Sequence, residues 1–483
     1  MNSKRALFLL GISAIFVLTS CSGLNSSVCT VNCGVGGGNA TVTIMIKATP
    51  LTPPASTNLL SFVTTITGMY LTPTSGDPAN LTNSTPGLDF VHLQNDSFLV
   101  GTATVPAANY TSLTISFAKP TVTYCTQTLG AAGCASGSVA TLTNTVVTLP
   151  VVPTTLNLTE NQKLGLEIDL DLNQALTVNA NQTVTTANLG NVSAYSITSL
   201  PPAFSSLGAG QLDFYDNVLG EVVEVSGQVV TILTNANGDV GATGSASTYY
   251  STNCVTVAQA CPPAVGQLVS LDTAANPDGT LALLAFDPIA SVAGVAWVDG
   301  VVTAKPTSST QFQIVAGDQS TGTATPSSLP SGTIVNVTLV NTFPFYIESH
   351  GLPIPANNFA GSTDATVLVP GMTVGLIVTG YTPASGNTLA SVTAQAVTLR
   401  FSSVSGTVAT TGGQNSFSIN SLPSYFGLTT NAIVQLNTVS PATNFDGVTA
   451  ATGLTVGNTV AIRALYFGPN TATPFVAAKV RQF

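Results

Sequence analysis

Three acids fall within five residues at Glu167, Asp169 and Asp171, inside the run Leu164-Gly165-Leu166-Glu167-Ile168-Asp169-Leu170-Asp171-Leu172. Strand alternation puts the three carboxylates on one face, where like charges repel unless something neutralises them. Calcium is the ion such an oxygen-rich face would take, although the run lacks the glycine and closing glutamate of an EF-hand loop. A solvated outer face whose acids guard an edge strand explains them equally well. Both histidines also lie near acids. His92 is close to Asp89 and Asp96, and His350 sits in Glu348-Ser349-His350-Gly351. Acyl transfer needs a nucleophile, a base and an orienting acid, and no Gly-x-Ser-x-Gly elbow accompanies either histidine. The stretch from Phe343 to Ala360 holds Phe343, Phe345, Tyr346 and His350, and reads as a recognition loop. Trp297, alone of its kind, lies in an apolar run and reads as core rather than as a stacking platform.

The elements that must position these residues are strands. Val42, Ile44 and Ile46 alternate with Thr41, Thr43 and Met45, and Leu113, Ile115 and Phe117 alternate with Ser112, Thr114 and Ser116. Turns such as Asn237-Gly238-Asp239 and Asn276-Pro277-Asp278-Gly279 separate the runs, and no long helical period is present. The expected fold is all-β: an N-terminal β-sandwich followed by tandem small β-barrel-like modules. Repeats mark the modules. Val225-Ser226-Gly227-Gln228-Val229, Val298-Asp299-Gly300-Val301-Val302 and Val404-Ser405-Gly406-Thr407-Val408 are alike. Each precedes a Gly-x-x-Val element, Gly266 to Val269, Gly371 to Val374 and Gly457 to Val460, and two carry Phe-x-Ile at Phe312 and Ile314 and at Phe417 and Ile419. Glycine within a strand pattern marks the sharp bends a small barrel needs. The expected division is a sandwich over 41–198, a linker over 199–220, and modules over 221–290, 291–397 and 398–483. The second module carries the aromatic stretch as an insert.

Upstream, Lys4 and Arg5 precede an apolar stretch from Ala6 to Val17, and then Leu18-Thr19-Ser20-Cys21. This is the layout of an export signal over 1–20, too short for a comfortable spanning helix. Leu-x-small-Cys resembles the lipobox of bacterial lipoproteins, which implies lipidation of Cys21, and Ser22 after it implies outer-membrane sorting. Residues 21–40 read as a flexible tether. The other six cysteines form three local pairs, Cys29 with Cys33, Cys125 with Cys134 and Cys254 with Cys261. An even count in an exported chain points to disulfides, and six cysteines admit 15 pairings of which the local one is simplest. Zinc spacing and Cys-x-x-Cys are both missing from these pairs.

Composition narrows the function. Of 483 residues only 6% are charged, with 20 acidic, 10 basic and 2 histidine. Without the signal the net charge is −12, so nucleic-acid binding and adhesion to anionic lipid are disfavoured. Seven per cent aromatic residues and one tryptophan are too few for the two girdles of a membrane-spanning barrel.

Two family resemblances cover most of the mature chain. Residues 41 to about 195 resemble an uncharacterised domain of bacterial envelope lipoproteins, related in outline to prealbumin-like and immunoglobulin-like sandwiches. The matching stretches are Phe62 to Thr67, Leu71-Thr72-Pro73, Leu88 to Leu93, Val105-Pro106-Ala107-Ala108-Asn109-Tyr110, and the strand at 164–172. That family's Asp-Ala-Pro appears here as Ala48-Thr49-Pro50, which removes one potential ion ligand. The repeats from 221 onward resemble a second uncharacterised family of small β modules. The resemblance implies no known reaction and no cofactor. The resulting expectation is a non-catalytic, lipid-anchored envelope protein with a structural or ligand-presenting role. A carbohydrate- or protein-binding adhesin, with an envelope glycan or protein as partner, is the first alternative, and an envelope hydrolase is the second.

Overall fold

The alternating runs pair as their periodicity requires. In the strand Asn39–Thr49, Val42, Ile44 and Ile46 are completely buried. It lies parallel to Lys163–Asp171 and antiparallel to Phe98–Pro106. With Tyr195–Ser199 these make one open four-stranded sheet. A larger sheet, built around Leu59–Pro73 and Asn109–Phe117, faces it across a shared core. The Val105-to-Tyr110 turn delivers Tyr110 into that core, where its hydroxyl donates to the Pro106 carbonyl at 2.7 Å.

The computed structural model describes residues 38–483 apart from 54–57, 83, 129–130, 139–140, 151–155, 181–182, 201–213, 235–236, 252–261, 291–295, 307, 321–328, 341 and 440–441. Residues 37–483 cluster as one compact unit. The chain is all-β, and its α-helix among the described residues is the single turn Leu172–Ala175. No described helix is long and apolar enough to cross a membrane.

Three barrel-like modules follow the open sheets. In the first, Phe214–Ser226, Val229–Thr234, Gly238–Thr243, Leu268–Ala275 and Leu281–Ala290 form a five-stranded sheet that closes through parallel pairing of Ala242 with Leu281. The second runs through Ala296–Val302, Gln311–Ser320, Ile334–Leu339, Thr373–Thr382 and Ala390–Arg400, and closes between 335–339 and 390–394. The third uses Ser402–Thr411, Ser416–Asn420, Ala432–Leu436, Thr459–Tyr466 and Phe475–Gln482, and closes between 434–436 and 475–477. The first of these strands begins at Phe214, inside the stretch expected to be linker.

Register corrects one part of the repeat reading. Gly300 lies opposite Val374 and Gly406 opposite Val460, but the residue opposite Val269 is Gly220. Gly227, which the pattern Val-Ser-Gly-Gln-Val suggested, occupies the hairpin turn with φ +60°. At Gly220, Gly300 and Gly406 alike the neighbouring strand comes so close that a Cβ would strike a backbone carbonyl, those of Leu233, Val315 and Asn420, whereas a Cβ at Gly227 would meet nothing. The Gly-x-x-Val glycines behave alike, with φ of +88°, +89° and +91° at Gly266, Gly371 and Gly457. The aromatic stretch of the second module is also not wholly an insert. Its strand Tyr346–Ile347 pairs parallel with the module's last strand, as Tyr249–Tyr250 and Asn444–Asp446 do in the other two.

The modules fold back on the sandwich. Thr43 and Met45, expected to face outward, are buried, because the first module covers that face. Gly165 donates its N–H to the Pro277 carbonyl, Gly279 sits directly over Thr43, and the Asn237 amide donates to the Leu99 carbonyl. Trp297 packs with Leu219, Leu268, Ile289 and Ile377 between the first two modules, its ring lying over Gly375.

Candidate functional site: a buried ion network

Every arginine among the described residues, Arg400, Arg463 and Arg481, is buried, and each lies in a strand rich in apolar residues. They meet buried acids where the four units join. Arg463, from the third module, holds both oxygens of Asp272, from the first, at 3.0 Å through Nη2. Its Nε lies 3.6 Å from Asp96 of the sandwich, and its guanidinium stacks 4.3 Å from the Phe401 ring. Arg400 of the second module donates to Asp299 at 2.5 Å and to Ser270 of the first module at 2.7 Å, with Nε 2.9 Å from Glu348. Arg481 reaches the sandwich at Asp169, 2.7 Å, and its own module at Asp446, 3.2 Å. Lys479 donates to the Asn95 carbonyl at 2.5 Å.

His350 stands at the centre. Its Nδ1 is 2.6 Å from Asp272 Oδ2, while Nε2 is 2.7 Å from Asp287 Oδ2 and 3.0 Å from Glu348 Oε1. Burial opposes a charge on the ring, yet Asp272 and Asp287 outweigh it and hold His350 well above the ordinary imidazole value. Burial likewise works against the charged form of Asp272, but Arg463 and His350 prevail and keep it well below the usual carboxylate range. Asp299 goes the other way. Burial pushes it up to about 7 against the pull of Arg400, with Asp318 and Glu348 adding repulsion.

Repeat register explains how the modules interlock. Asp272, Ile377 and Arg463 each stand three residues after the paired valine, so equivalent sites carry an acid in the first module and a base in the third. On the neighbouring strand Asp287, Thr398 and Arg481 are equivalent in the same way. Modules one and three therefore bear opposite charges on the same barrel positions, and Asp272 pairs with its own counterpart Arg463.

The residues singled out from sequence fall as follows. Glu167, Asp169 and Asp171 do not form a solvated edge, since their strand lies between Asn39–Thr49 and Tyr195–Ser199. Glu167 is buried, pairs with Lys47 on the adjacent strand and accepts from Ser97 Oγ at 2.7 Å. Asp169 meets Arg481, and Asp171 caps the Leu172–Ala175 turn by accepting from the Asn173 N–H at 2.9 Å. Lys47 and Arg481 thus neutralise Glu167 and Asp169. Phe345 is buried against Phe359 and His350 is buried in the network, so of the four residues expected to form the recognition loop Phe343 is exposed and Tyr346 half-buried. Phe345, Ile347, Leu352 and Phe359 belong to the module core. His92 Nδ1 is 3.8 Å from Asp89 Oδ2, beyond hydrogen bonding, and lines a cavity of about 70 Å³ with Asp96, Asp299 and Asp318. Cys125 and Cys134 are directly opposed across an antiparallel pair. Cys21, Cys29, Cys33, Cys254 and Cys261 lie outside the described residues.

No family model matches the chain, and no curated protein matches it. The network therefore has to be read from its own chemistry. Its imidazole and three guanidiniums are all engaged with carboxylates, an arrangement that ties the sandwich and the three modules together.

Proposed function

We propose that the protein is a non-catalytic scaffold of the bacterial cell envelope, held to the outer membrane by lipid on Cys21 and presenting a nearly uncharged β surface. The observation that carries this reading is where the scarce charge is used: Arg400, Arg463, Arg481 and His350 all turn inward to lock the sandwich and three modules together. Hydroxyl and amide side chains are left to solvate the outside. The lipobox-like Leu18-Thr19-Ser20-Cys21 supports the anchor. In that oxidising setting Cys125 and Cys134 would be joined, since opposed residues on antiparallel strands lie about 4.5–5.5 Å apart at Cα, within disulfide range.

Fractionation of cells that carry the native chain or Cys21→Ser tests the proposal. The native protein is expected in the membrane fraction with an acylated N-terminal peptide, and the variant in the soluble fraction. Membrane retention of Cys21→Ser, or an unmodified Cys21 in the mature native chain, would overturn it.

A further inference from the structure

We infer that Asp287, Glu348 and His350 form a binding site for one divalent first-row transition ion, of the zinc or manganese kind, bridging the first and second modules. Asp287 Oδ2, Glu348 Oε1 and His350 Nε2 lie within 4.8 Å of one another, and all three residues are buried. The separations from Nε2, 2.7 and 3.0 Å, are close to the roughly 3 Å between neighbouring ligand atoms when bonds of about 2.0–2.2 Å meet near a right angle. The site does not depend on the scaffold reading.

Two further observations point to an ion rather than to an ordinary ion pair. The first concerns hydrogen bonding. A ring nitrogen carries one proton, and Glu348 Oε1 takes the bond from Nε2. Asp287 Oδ2 stands 2.7 Å from the same nitrogen, so two buried carboxylate oxygens compete for one N–H. A cation between the three atoms satisfies both carboxylates and the ring together. The second concerns the far side of each ligand. Asp272 accepts at His350 Nδ1, which leaves Nε2 as the ligating nitrogen, and is itself gripped by Arg463. Arg400 Nε holds the other oxygen of Glu348 at 2.9 Å. Such outer partners, with carboxylate on the remote imidazole nitrogen, are what orient ligands at metal centres.

Charge agrees. Within hydrogen-bonding reach, Asp272, Asp287, Asp299 and Glu348 face only Arg400, Arg463 and His350. A divalent ion on a neutral ring brings one more positive charge to these carboxylates than an imidazolium does. A ligand set of one imidazole and two carboxylates suits zinc, manganese or iron, whereas calcium wants six to eight oxygens. The backbone is shaped for this convergence: His350 adopts φ +48° and Gly351 φ +79°, which turns the chain so that Glu348 and His350 both face Asp287 across the module boundary.

The test uses the full mature chain, stripped with chelator and titrated separately with Zn²⁺, Mn²⁺, Co²⁺ and Ca²⁺. The expected result is one transition ion per chain, a rise in melting temperature, and visible Co²⁺ absorption of a site with a nitrogen ligand. Asp287→Asn keeps the shape and an acceptor for His350, so the metal-free variant should unfold near the metal-free native chain while binding falls at least 100-fold. Asp272→Asn should weaken binding 10- to 100-fold by freeing the ring. A native chain that takes up none of the transition ions at near unit stoichiometry, that binds Ca²⁺ as tightly, or whose affinity survives Asp287→Asn would overturn the assignment.

Discussion

Replacing Arg463 by methionine keeps most of the aliphatic stem and deletes a guanidinium that three units share. The arginine is 3% exposed and its partner Asp272 equally so. Removing one member of such a buried pair typically costs about 3–5 kcal/mol, because the remaining charge stays buried without compensation. Here His350 still touches Asp272, 2.6 Å away, which offsets part of the loss. The stack on Phe401 adds to it, by about 1–2 kcal/mol for a desolvated contact. The expectation is about 3–4 kcal/mol. With a urea dependence of about 3 kcal/mol/M, the midpoint should fall by roughly 1 M. Urea unfolding of the chelator-treated chain can be followed by the fluorescence of Trp297, the only tryptophan, which reports the boundary between the first two modules directly. The companion variant Asp272→Asn removes the charge that Arg463 neutralises. In that background Arg463→Met should cost less than half as much. A loss under about 1 kcal/mol, or the same loss in both backgrounds, would refute the claim that this pair locks the modules.

The elevated carboxyl of Asp299 gives a pH dependence. Its folded value is about 7 against an ordinary 3.8, so between these limits the folded protein holds a proton that the unfolded chain has released. The associated stability is present in full below about pH 4 and is lost as pH rises towards 7, on the order of a few kcal/mol. Asp299→Asn, which can still accept from Arg400, should flatten the change in urea midpoint between pH 5 and 7.5, and an unaltered slope would count against the assignment. Asp272, held low, works in the opposite sense and loses its contribution only as the solution becomes strongly acid. Gly300→Ala should destabilise by about 1–3 kcal/mol through collision with the Val315 carbonyl, whereas Gly227→Ala meets no neighbour and bears only the cost of a left-handed turn, about 1 kcal/mol. Equal thermal shifts for the two variants would contradict the corrected repeat register.

Fold class was written in local patterns, and local patterns survive in the structure. Alternation at Val42, Ile44 and Ile46 or at Leu113, Ile115 and Phe117 reports one buried face of one strand, which needs no knowledge of the rest of the chain. The Gly-x-x-Val turns were legible for the same reason, since a left-handed turn before a strand selects glycine on the spot. Where two segments look alike, local pattern misleads: Val225 to Val229 imitates the strand motif, yet it is a hairpin, and only pairing with Val269 identifies Gly220 as the true counterpart. The ion network was hidden for a different reason. Its partners stand 101, 130, 191 and 312 residues apart, and the equivalent repeat positions change from acid to apolar to base, so the repeats give no sign of it. The acids at 167 and 169 were visible as an oddity, but Arg481, which answers Asp169, lies at the other end of the sequence. The available signal was the placement of the cations. Arg400, Arg463, Lys479 and Arg481 stand in largely buried strands rich in alanine, valine and leucine, where a charge is tolerated only if something meets it.

The opposed charges of the first and third modules also dictate an order of assembly. A chain made from its N-terminus displays Asp96, Asp169 and Asp272 long before the strands Thr459–Tyr466 and Phe475–Gln482 exist to receive them. Each barrel can close on its own short-range pairings, but the junction among them can be dried only when the last strands arrive. Until that moment the acidic faces stay wet and mutually repelling, which discourages nascent modules from sticking to one another or to neighbouring chains. Opposite charge on like barrels would thus hold the parts separate during synthesis and draw them together once all are present.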